Sequence, residues 1–364
     1  MRRTGDETMR RMVFAAIAVL TVVSFETRAG ELPRLYSDAR VMAMGGAFVA
    51  LSDDACALFY NPAGLADVKS STVNLPLPQA EFNNKAFDMF TDFNDTDFDS
   101  TSETGSFLRK NLGDTGHAAV SFFPSYLRPR FAFGILGSAR ADLTSKNPVY
   151  PVLEVETVQD AAVCAGYALP AVGEDLLLGV GVKYLFRRSL DREYTVSDIT
   201  SGDFENRLED EMEEGSGALV DVGLIYKVGS FQVSGRQGTL QAGLSMNNLV
   251  GNDLGDAADI DEHLDVGFAS RIGDDTVIAL DYVDILGEVG EDDSVGKRIH
   301  LGVEYTPKTG LKLRLGLNQG YPTFGVGLST GKVKLDLATY AEERGTYAGQ
   351  EHDRRYIIRL GFSL

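Results

Sequence analysis

The sequence predicts an all-β fold, an antiparallel up-and-down transmembrane β-barrel of about 14 strands. Three observations predict it. Apolar residues alternate with small, polar or charged residues from about residue 72 to the last residue, which is the period of a half-buried strand. Most alternating stretches are about 8–12 residues long, close to the length that a tilted membrane-spanning strand needs. The connections alternate between short and long, as they do on the two rims of such a barrel.

Residues 1–29 are predicted to be a cleaved secretory signal peptide. Arginines precede the apolar run Met12–Phe25, and Thr27 and Ala29 supply the small residues of a cleavage site after Ala29. A membrane-anchor helix is the alternative, but about 14 apolar residues are too few to span a bilayer. We therefore expect export through the Sec pathway, to a bacterial outer membrane.

Residues 30–70 lack the alternation and are predicted to be a separate, non-β segment. Ser52 is a candidate N-cap, and Asp53 and Asp54 would lie in the first turn, where carboxylates favour the helix dipole. A short helix is therefore expected from Ser52 to about Tyr60.

Turn-forming residues flank this expected helix. Asn61-Pro62 ends it, because the residue before a proline avoids the helical region, and Gly64 provides freedom for a turn. Gly45-Gly46 allow the preceding backbone to bend or to pack closely.

Residues 71–364 are predicted to form the barrel. In Leu176–Arg187, for example, Leu178 and Val180 share an apolar face, whereas Gly179 and Lys183 lie on the other. The alternating stretches lie near 72–77, 116–123, 130–139, 155–168, 175–187, 217–228, 239–247, 263–271, 275–285, 297–306, 311–318, 323–329, 332–340 and 355–364. Glycines on the inward faces leave room for another element to approach the wall: Gly179, Gly181, Gly223, Gly243, Gly267, Gly302, Gly316, Gly325 and Gly327.

The connections decide between a barrel and its competitors. Short ones are expected at 124–129, 170–174, 229–238, 272–274, 307–310 and 331, and long ones at 78–115, 140–154, 188–216, 248–262, 286–296 and 341–354. The connection at 319–322 is short where a long one is expected. A soluble β-sandwich or β-propeller also has alternating strands, but gives no reason for alternating loop lengths.

Tyr and Phe near strand ends resemble an interfacial aromatic belt, although the chain has no Trp.

Composition excludes several function classes. Lys and Arg number 34 against 53 Asp and Glu, a net charge of −19 that repels phosphate backbones, so no nucleic-acid partner is expected. Two cysteines exclude a disulfide framework and a multi-cysteine zinc site. Cys56 and Cys164 are either a disulfide between the N-terminal segment and the wall or two buried small apolar residues.

No catalytic residue, metal site or cofactor is predicted, and the chain is not expected to be an enzyme. Its histidines are scattered, and it has no G-x-S-x-G, Walker or G-x-G-x-x-G motif. Asp95, Asp97 and Asp99 have the spacing that opens a calcium loop, but Ser100 and Ser106 stand where Gly and Glu are required. A solvated acidic loop is the favoured interpretation.

One motif resembles a known family. The run Arg40–Ala66, RVMAMGGAFVALSDDACALFYNPAGLA, resembles the N-terminal signature of the FadL/PorV-like outer-membrane proteins, with wording closer to the PorV-like branch. That family includes FadL-type transporters of long-chain fatty acids and other hydrophobic compounds, and PorV/PorQ-type barrels tied to type IX secretion. The resemblance implies a barrel of about 14 strands with its N-terminal segment inside it as a plug, or hatch. The residues that it assigns to the plug motif are Gly45, Gly46, Asp53, Asp54, Asn61, Pro62, Ala63 and Gly64.

Two functions are compatible with these features, both in contact with outer-membrane lipid. The first is passive, plug-gated transport of small hydrophobic compounds, with inward-facing apolar residues as candidate ligand contacts: Leu177, Leu185, Leu219 and Ile225. The second is a PorV/PorQ-like role in protein secretion or surface anchoring without small-molecule transport. The long acidic loops at 78–115 and 188–216 are then the candidate surfaces for a secretion-system or secreted protein.

Overall fold

The computed structural model describes residues 34–251, 253–287, 294–307 and 310–364, apart from the side chain of Val172. The predicted signal peptide lies outside the described residues. Within these ranges, no helix combines the length and apolar character needed to cross a bilayer.

The segment before the first strand contains short helices: α1 (Ala39–Ala43), α2 (Ala57–Tyr60) and a 3-10 helix (Pro62–Asp67). The predicted start of α2 is wrong. Ser52 has a φ of 20° and its hydroxyl donates to the Phe48 carbonyl at 2.8 Å, so its side chain does not cap a helix. The Asp54 carboxylate instead accepts from the Cys56 N–H at 2.9 Å, just before α2 begins.

The strands form one antiparallel sheet of 16 segments. They are β1 (Thr72–Pro76), β2 (Gln79–Asn83), β3 (Thr115–Phe122), β4 (Ser125–Arg128), β5 (Phe131–Lys146), β6 (Val152–Val172), β7 (Leu176–Thr195), β8 (Glu213–Val233), β9 (Arg236–Asn247), β10 (His263–Ile272), β11 (Thr276–Tyr282), β12 (Ile299–Tyr305), β13 (Leu311–Asn318), β14 (Tyr321–Thr330), β15 (Val333–Glu343) and β16 (His352–Ser363). Both β1 and β2 pair with β16, and both β3 and β4 pair with β5. The 16 segments therefore form the 14 strands of a closed barrel, which confirms the predicted fold class.

Prolines divide the first two wall strands. Pro78 separates β1 from β2, and Pro124 separates β3 from β4. A proline has no N–H to donate to a ladder, so the strand breaks there and resumes beyond it. The sequence predicts connections at 78–115 and 124–129. The structure corrects both predictions, because β2 and β4 continue the wall beyond each proline.

Several strands run past the predicted ends. β6 and β8 each have 21 residues and β7 has 20, about twice the length that crosses a bilayer. The connection predicted as long at 140–154 is consequently reduced to 147–151. The short turn before β14, at 319–320, is as predicted.

Helices occupy three of the other long connections: α3 (Asn84–Asp95), α4 (Thr101–Lys110), α5 (Val196–Ile199), α6 (Phe204–Asp210) and α7 (Val295–Arg298). We call their end of the barrel the long-loop end. α3 and α4 join β2 to β3, and α5 and α6 join β7 to β8.

The two faces of the wall differ as predicted. On β7, Val180 and Phe186 point outward and are 49% and 55% exposed, whereas Leu185 points inward and is fully buried. Outward leucines, valines and aromatics repeat this pattern on neighbouring strands. Such an apolar outer surface fits lipid, which a closed barrel can contact without exposing unpaired backbone groups.

Candidate functional site

The inner face of the wall is covered by residues 34–68. Phe48, Leu51 and Leu58 form a buried cluster with wall residues such as Leu136 and Leu219. Each site residue predicted from the N-terminal motif lies in or against this packed interior.

Arg40 joins the two predicted aspartates to the wall. Its Nη1 lies 2.6 Å from Asp53 Oδ1 and 2.8 Å from Asp54 Oδ2, and its Nε lies 3.1 Å from Glu304 Oε2 on β12. Arg271 on β10 reaches Asp53 Oδ2 at 2.8 Å. Asp53 and Asp54 therefore serve an ion-pair network and not the first turn of a helix.

The charge of Asp53 is held by these arginines. Burial alone would raise the pKa of the Asp53 carboxyl, but the guanidinium groups of Arg40 and Arg271 outweigh burial and lower this pKa to about 2. The carboxylate is therefore ionised at neutral pH and ties the N-terminal segment to β10.

Asn61 connects the segment to two further wall strands. Its Nδ2 donates to the carbonyl of Val49 at 2.9 Å and to those of Leu224 and Leu244 at 3.3 Å, on β8 and β9. Its Oδ1 accepts from the Ala63 N–H at 3.0 Å, so Asn61 also caps the 3-10 helix. This capping role extends the predicted one, which was only to end α2 before Pro62.

The glycines of the motif serve two purposes. Gly45 and Gly46 have φ of +67° and +81°, a left-handed region that favours glycine, and the Gly45 carbonyl accepts from His300 Nδ1 at 2.7 Å. Gly64 has no left-handed φ; a Cβ there would overlap the Ser52 carbonyl. The turn freedom predicted for Gly64 is thus replaced by a need for close packing.

The four candidate ligand residues face inward and are buried: Leu177, Leu185, Leu219 and Ile225. Leu177 and Ile225 pack on Ala63, and Leu185 and Leu219 belong to the cluster around Phe48. None of the four lines the outer cavity described below or a smaller internal cavity between Tyr60 and His263. A ligand role for them stays a prediction.

Cys56 and Cys164 are both buried, free thiols in the same apolar cluster. The structure therefore supports the two-apolar-residue interpretation over the disulfide. Burial raises the pKa of the Cys56 thiol well above its ordinary value, so it remains an uncharged packing residue.

An apolar cavity of about 1360 Å³ lies on the outer side of the wall at the long-loop end. His117 and Asp142 point into the barrel, where the imidazole Nδ1 lies 2.7 Å from the carboxylate. Because side chains alternate along a strand, their neighbours Ala118 and Ala141 point outward, and they form the floor of the cavity with Phe82.

Phenylalanines form the roof of this cavity: Phe87, Phe90, Phe93, Phe98, Phe107 and Phe204. The rings of Phe93 and Phe98 lie 4.6 Å apart and those of Phe98 and Phe107 lie 5.3 Å apart. Phe87 and Phe90 remain 70% and 42% exposed, so one side of the roof is open to the surroundings. The sequence signal for this roof is the run of aromatic residues in 78–115, a segment for which the prediction from sequence uses only the acidic residues.

The wall next to the cavity contains a gap in strand pairing. Pairing of β2 with β3 starts at Gln79 and Ser121, and pairing of β1 with β4 starts at Asn74 and Ser125. Within the described chain, no ladder pair joins 75–78 to 122–124. Phe123 turns inward at this gap.

Phe123 lies against the N-terminal segment. It is buried, with its ring 4.8 Å from that of Phe59 and 5.4 Å from that of Tyr36. An aromatic cluster therefore lies directly behind the gap in the wall.

The acidic loop at Asp95–Asp99, which has the spacing that opens a calcium loop, has internal bonds. Asp97 Oδ1 accepts from the Asp99 N–H at 3.1 Å, and Glu103 accepts from the Asp97 N–H at 3.0 Å. Elsewhere, Glu154 and its neighbours gather carboxylates on β6 and β7, but Lys146 Nζ lies 2.7 Å from Glu154 and supplies a positive charge there. Neither place offers a case for a metal site.

The fold is shared with hydrocarbon transporters of known structure. The Pseudomonas putida toluene transporter TodX matches 93% of this chain and 99% of its own, with 13% identity and a TM-score of 0.51. The Ralstonia pickettii toluene transporter TbuX matches 89% of this chain and 96% of its own, with 14% identity and a TM-score of 0.51. No family model and no curated protein matches the sequence. The 14-stranded barrel that the resemblance implied is thus the observed fold.

Proposed function

We propose that this chain is a bacterial outer-membrane channel for passive transport of small hydrophobic compounds. The observation that carries the proposal is the aromatic-roofed cavity of about 1360 Å³ on the outside of the wall. Concave, largely apolar sites of this kind suit small apolar ligands, which gain free energy by leaving water. The fold that this chain shares with the toluene transporters also supports a role in transport of hydrophobic compounds.

The route begins at the cavity and continues at the gap between the first two wall strands. Val120 lines the cavity, and Phe122, two residues further along β3, is at the edge of the gap. An apolar ligand leaving the cavity would follow this outward face and meet Phe123. Side-chain movement of Phe123 and displacement of the N-terminal segment would then admit it to the interior.

The plug gates this route in our proposal. The bonds that would have to break or shift for opening are those of Arg40 to Glu304 and of Asn61 to the wall carbonyls. The segments 78–115 and 188–216 provide the cavity roof through Phe90 and Phe204. Their use as surfaces for a secreted protein stays a prediction.

The cavity is tested by placing bulk on its floor. Ala118→Trp combined with Ala139→Trp introduces two indoles among the lining residues, whereas Ala161→Trp with Ala242→Trp places them on outward positions outside the cavity. Naphthalene binding is measured by thermal stabilisation, and naphthalene uptake in proteoliposomes. We expect the first variant to bind and transport naphthalene about tenfold less well than wild type, and the second to match wild type. Equal behaviour of the two variants, or no naphthalene binding by wild type, would refute the proposal.

A further inference from the structure

Acidic side chains lie along the edge of the outer cavity. Six carboxylates line it: Asp95, Asp97, Asp99, Glu103, Asp203 and Glu205. All six are exposed, and exposed carboxylates carry negative charge at neutral pH. No lysine or arginine lines the cavity in the part of the chain that the structure describes.

Three of the four basic residues of the same helices are paired elsewhere, and the fourth, Arg109, lies beside Gly105 of its own helix and does not line the cavity. Lys85 Nζ lies 2.7 Å from Asp114, and Lys110 pairs with Asp92. Arg207 pairs with Asp198 and Glu211. These acids do not line the cavity, so the negative charge at its edge is left uncompensated by ion pairs within the described chain.

The roof offers a second attraction for positive charge. The face of a phenylalanine ring attracts a cation. Six phenylalanines line the roof, directly inside the acidic edge. An ammonium group bound there would contact aromatic faces and carboxylates together, while its apolar body would lie on Ala118 and Ala141.

We infer that the cavity selects organic cations with an apolar body, in preference to neutral compounds of the same shape, and rejects organic anions. This inference rests on the proposed function and names its ligand class. A carboxylate ligand would face six like charges and no basic partner. Aliphatic acids are therefore poor ligands, whatever the length of their apolar chain.

A matched set of probes separates charge from shape. Benzyltrimethylammonium and neopentylbenzene differ only in nitrogen against carbon at the branched centre, and phenylacetate supplies the anion. The edge variant is Asp95→Asn with Asp203→Asn and Glu205→Gln. The control variant is Asp88→Asn with Glu209→Gln and Asp210→Asn, three exposed carboxylates of α3 and α6 that do not line the cavity.

Binding to the purified full-length protein in detergent is measured for each probe, with thermal unfolding as the check of folding. We expect the edge variant to lose about tenfold in affinity for the cation, with neopentylbenzene unchanged, and to bind phenylacetate more tightly. The control variant should match wild type. Raising the salt from about 0.01 M to about 0.5 M should weaken binding of the cation alone, because exposed charges are screened.

The outcomes distinguish the two proposals. If neopentylbenzene binds and the cation shows no loss in the edge variant, the charge selection is wrong and the hydrophobic site stands. If neither probe binds to wild type, the proposed function fails as well. Equal losses in the edge and control variants overturn the selection too, because they indicate a general effect of net charge.

Discussion

At the scale of single residues, the N-terminal motif consists of side chains that connect the segment to the wall. Arg40 pairs with Asp53, Asp54 and Glu304, and Asn61 bonds to carbonyls on β8 and β9. Buried charges of this kind must be paired, since an isolated one costs several kcal/mol. The motif therefore specifies how the segment docks, and Asp53 is its most strongly paired carboxylate.

Asp53→Asn should destabilise the protein at neutral pH. Because the pKa of Asp53 is lowered from its ordinary value of 3.8 to about 2, its ionised form stabilises the folded chain above about pH 4. We expect a loss of about 1–3 kcal/mol at neutral pH, which shrinks as the pH falls through that interval toward 2. Urea unfolding followed across this range measures it.

The control for this change is Asp67→Asn, which removes a half-exposed pair with Lys227 at 2.7 Å. Such pairs contribute about 0–1 kcal/mol, so little change is expected. A loss for Asp53→Asn that stays constant from neutral pH to about pH 2 would contradict the assignment.

At the scale of elements, the 3-10 helix Pro62–Asp67 packs directly on wall strands. It contacts β6, β7 and β8, and a Cβ on Gly179 or Gly223 would overlap its backbone or Asn61. Gly179 and Gly223, two of the inward glycines predicted from the sequence, therefore do leave room for another element. Backbone-to-backbone contact of this sort has no flexible side chain that could give way.

Gly179→Ala should therefore lower the free energy of unfolding, whereas Gly137→Ala should not. Its Cβ would overlap Pro62 and Ala63, and overpacking of this type costs about 1–3 kcal/mol. Gly137→Ala is the matched control, because it lies on a strand with nothing within 4 Å of the added Cβ. Urea unfolding of both variants checks the difference, and equal stabilities would show that the helix does not press on the wall.

At the scale of the whole molecule, two compartments are separated by the wall. Inside, residues 34–68 fill space with apolar side chains and paired charges. Outside, the helices α3 to α6, which belong to the β2–β3 and β7–β8 connections, cover an apolar cavity. The interrupted strands β1–β2 and β3–β4 lie between these compartments, which is why we place the route there.

A disulfide between plug and wall should block transport. An ideal Cβ at Gly267 lies 3.0 Å from Val49 Cβ, within about half an ångström of the spacing that a disulfide uses. The same Cβ would overlap the Asp281 side chain, so the background for this test includes Asp281→Ala together with Cys56→Ala and Cys164→Ala. In that background we expect Val49→Cys with Gly267→Cys to lose about tenfold in naphthalene uptake when oxidised. Reduction should restore uptake.

The single change Val49→Cys in the same background is the control, and its uptake should not depend on the redox state. Undiminished uptake by the oxidised double variant, with the bond verified by thiol counting, would show that the plug need not move.

The sequence by itself determined the barrel, its facing pattern and the docking motif. Alternation on β7, from Leu176 to Phe186, assigns each side chain to lipid or interior, because the strand period is two and one face must be apolar. Loop lengths identified the long-loop end. Inward-facing glycines such as Gly223 predicted that another element packs closely against the wall.

Only the tertiary structure decided where the cavity lies and which partners each charge has. Phe90 and Phe204 are more than a hundred residues apart along the chain, and the extended hairpins of β5, β6 and β7 bring them onto one surface. The alternation along β3 predicts that Ala118 points outward. It does not predict that the helices of the long connections cover this alanine. Arg40 and Glu304 likewise meet because the barrel closes around the N-terminal segment, a long-range contact that no local pattern records.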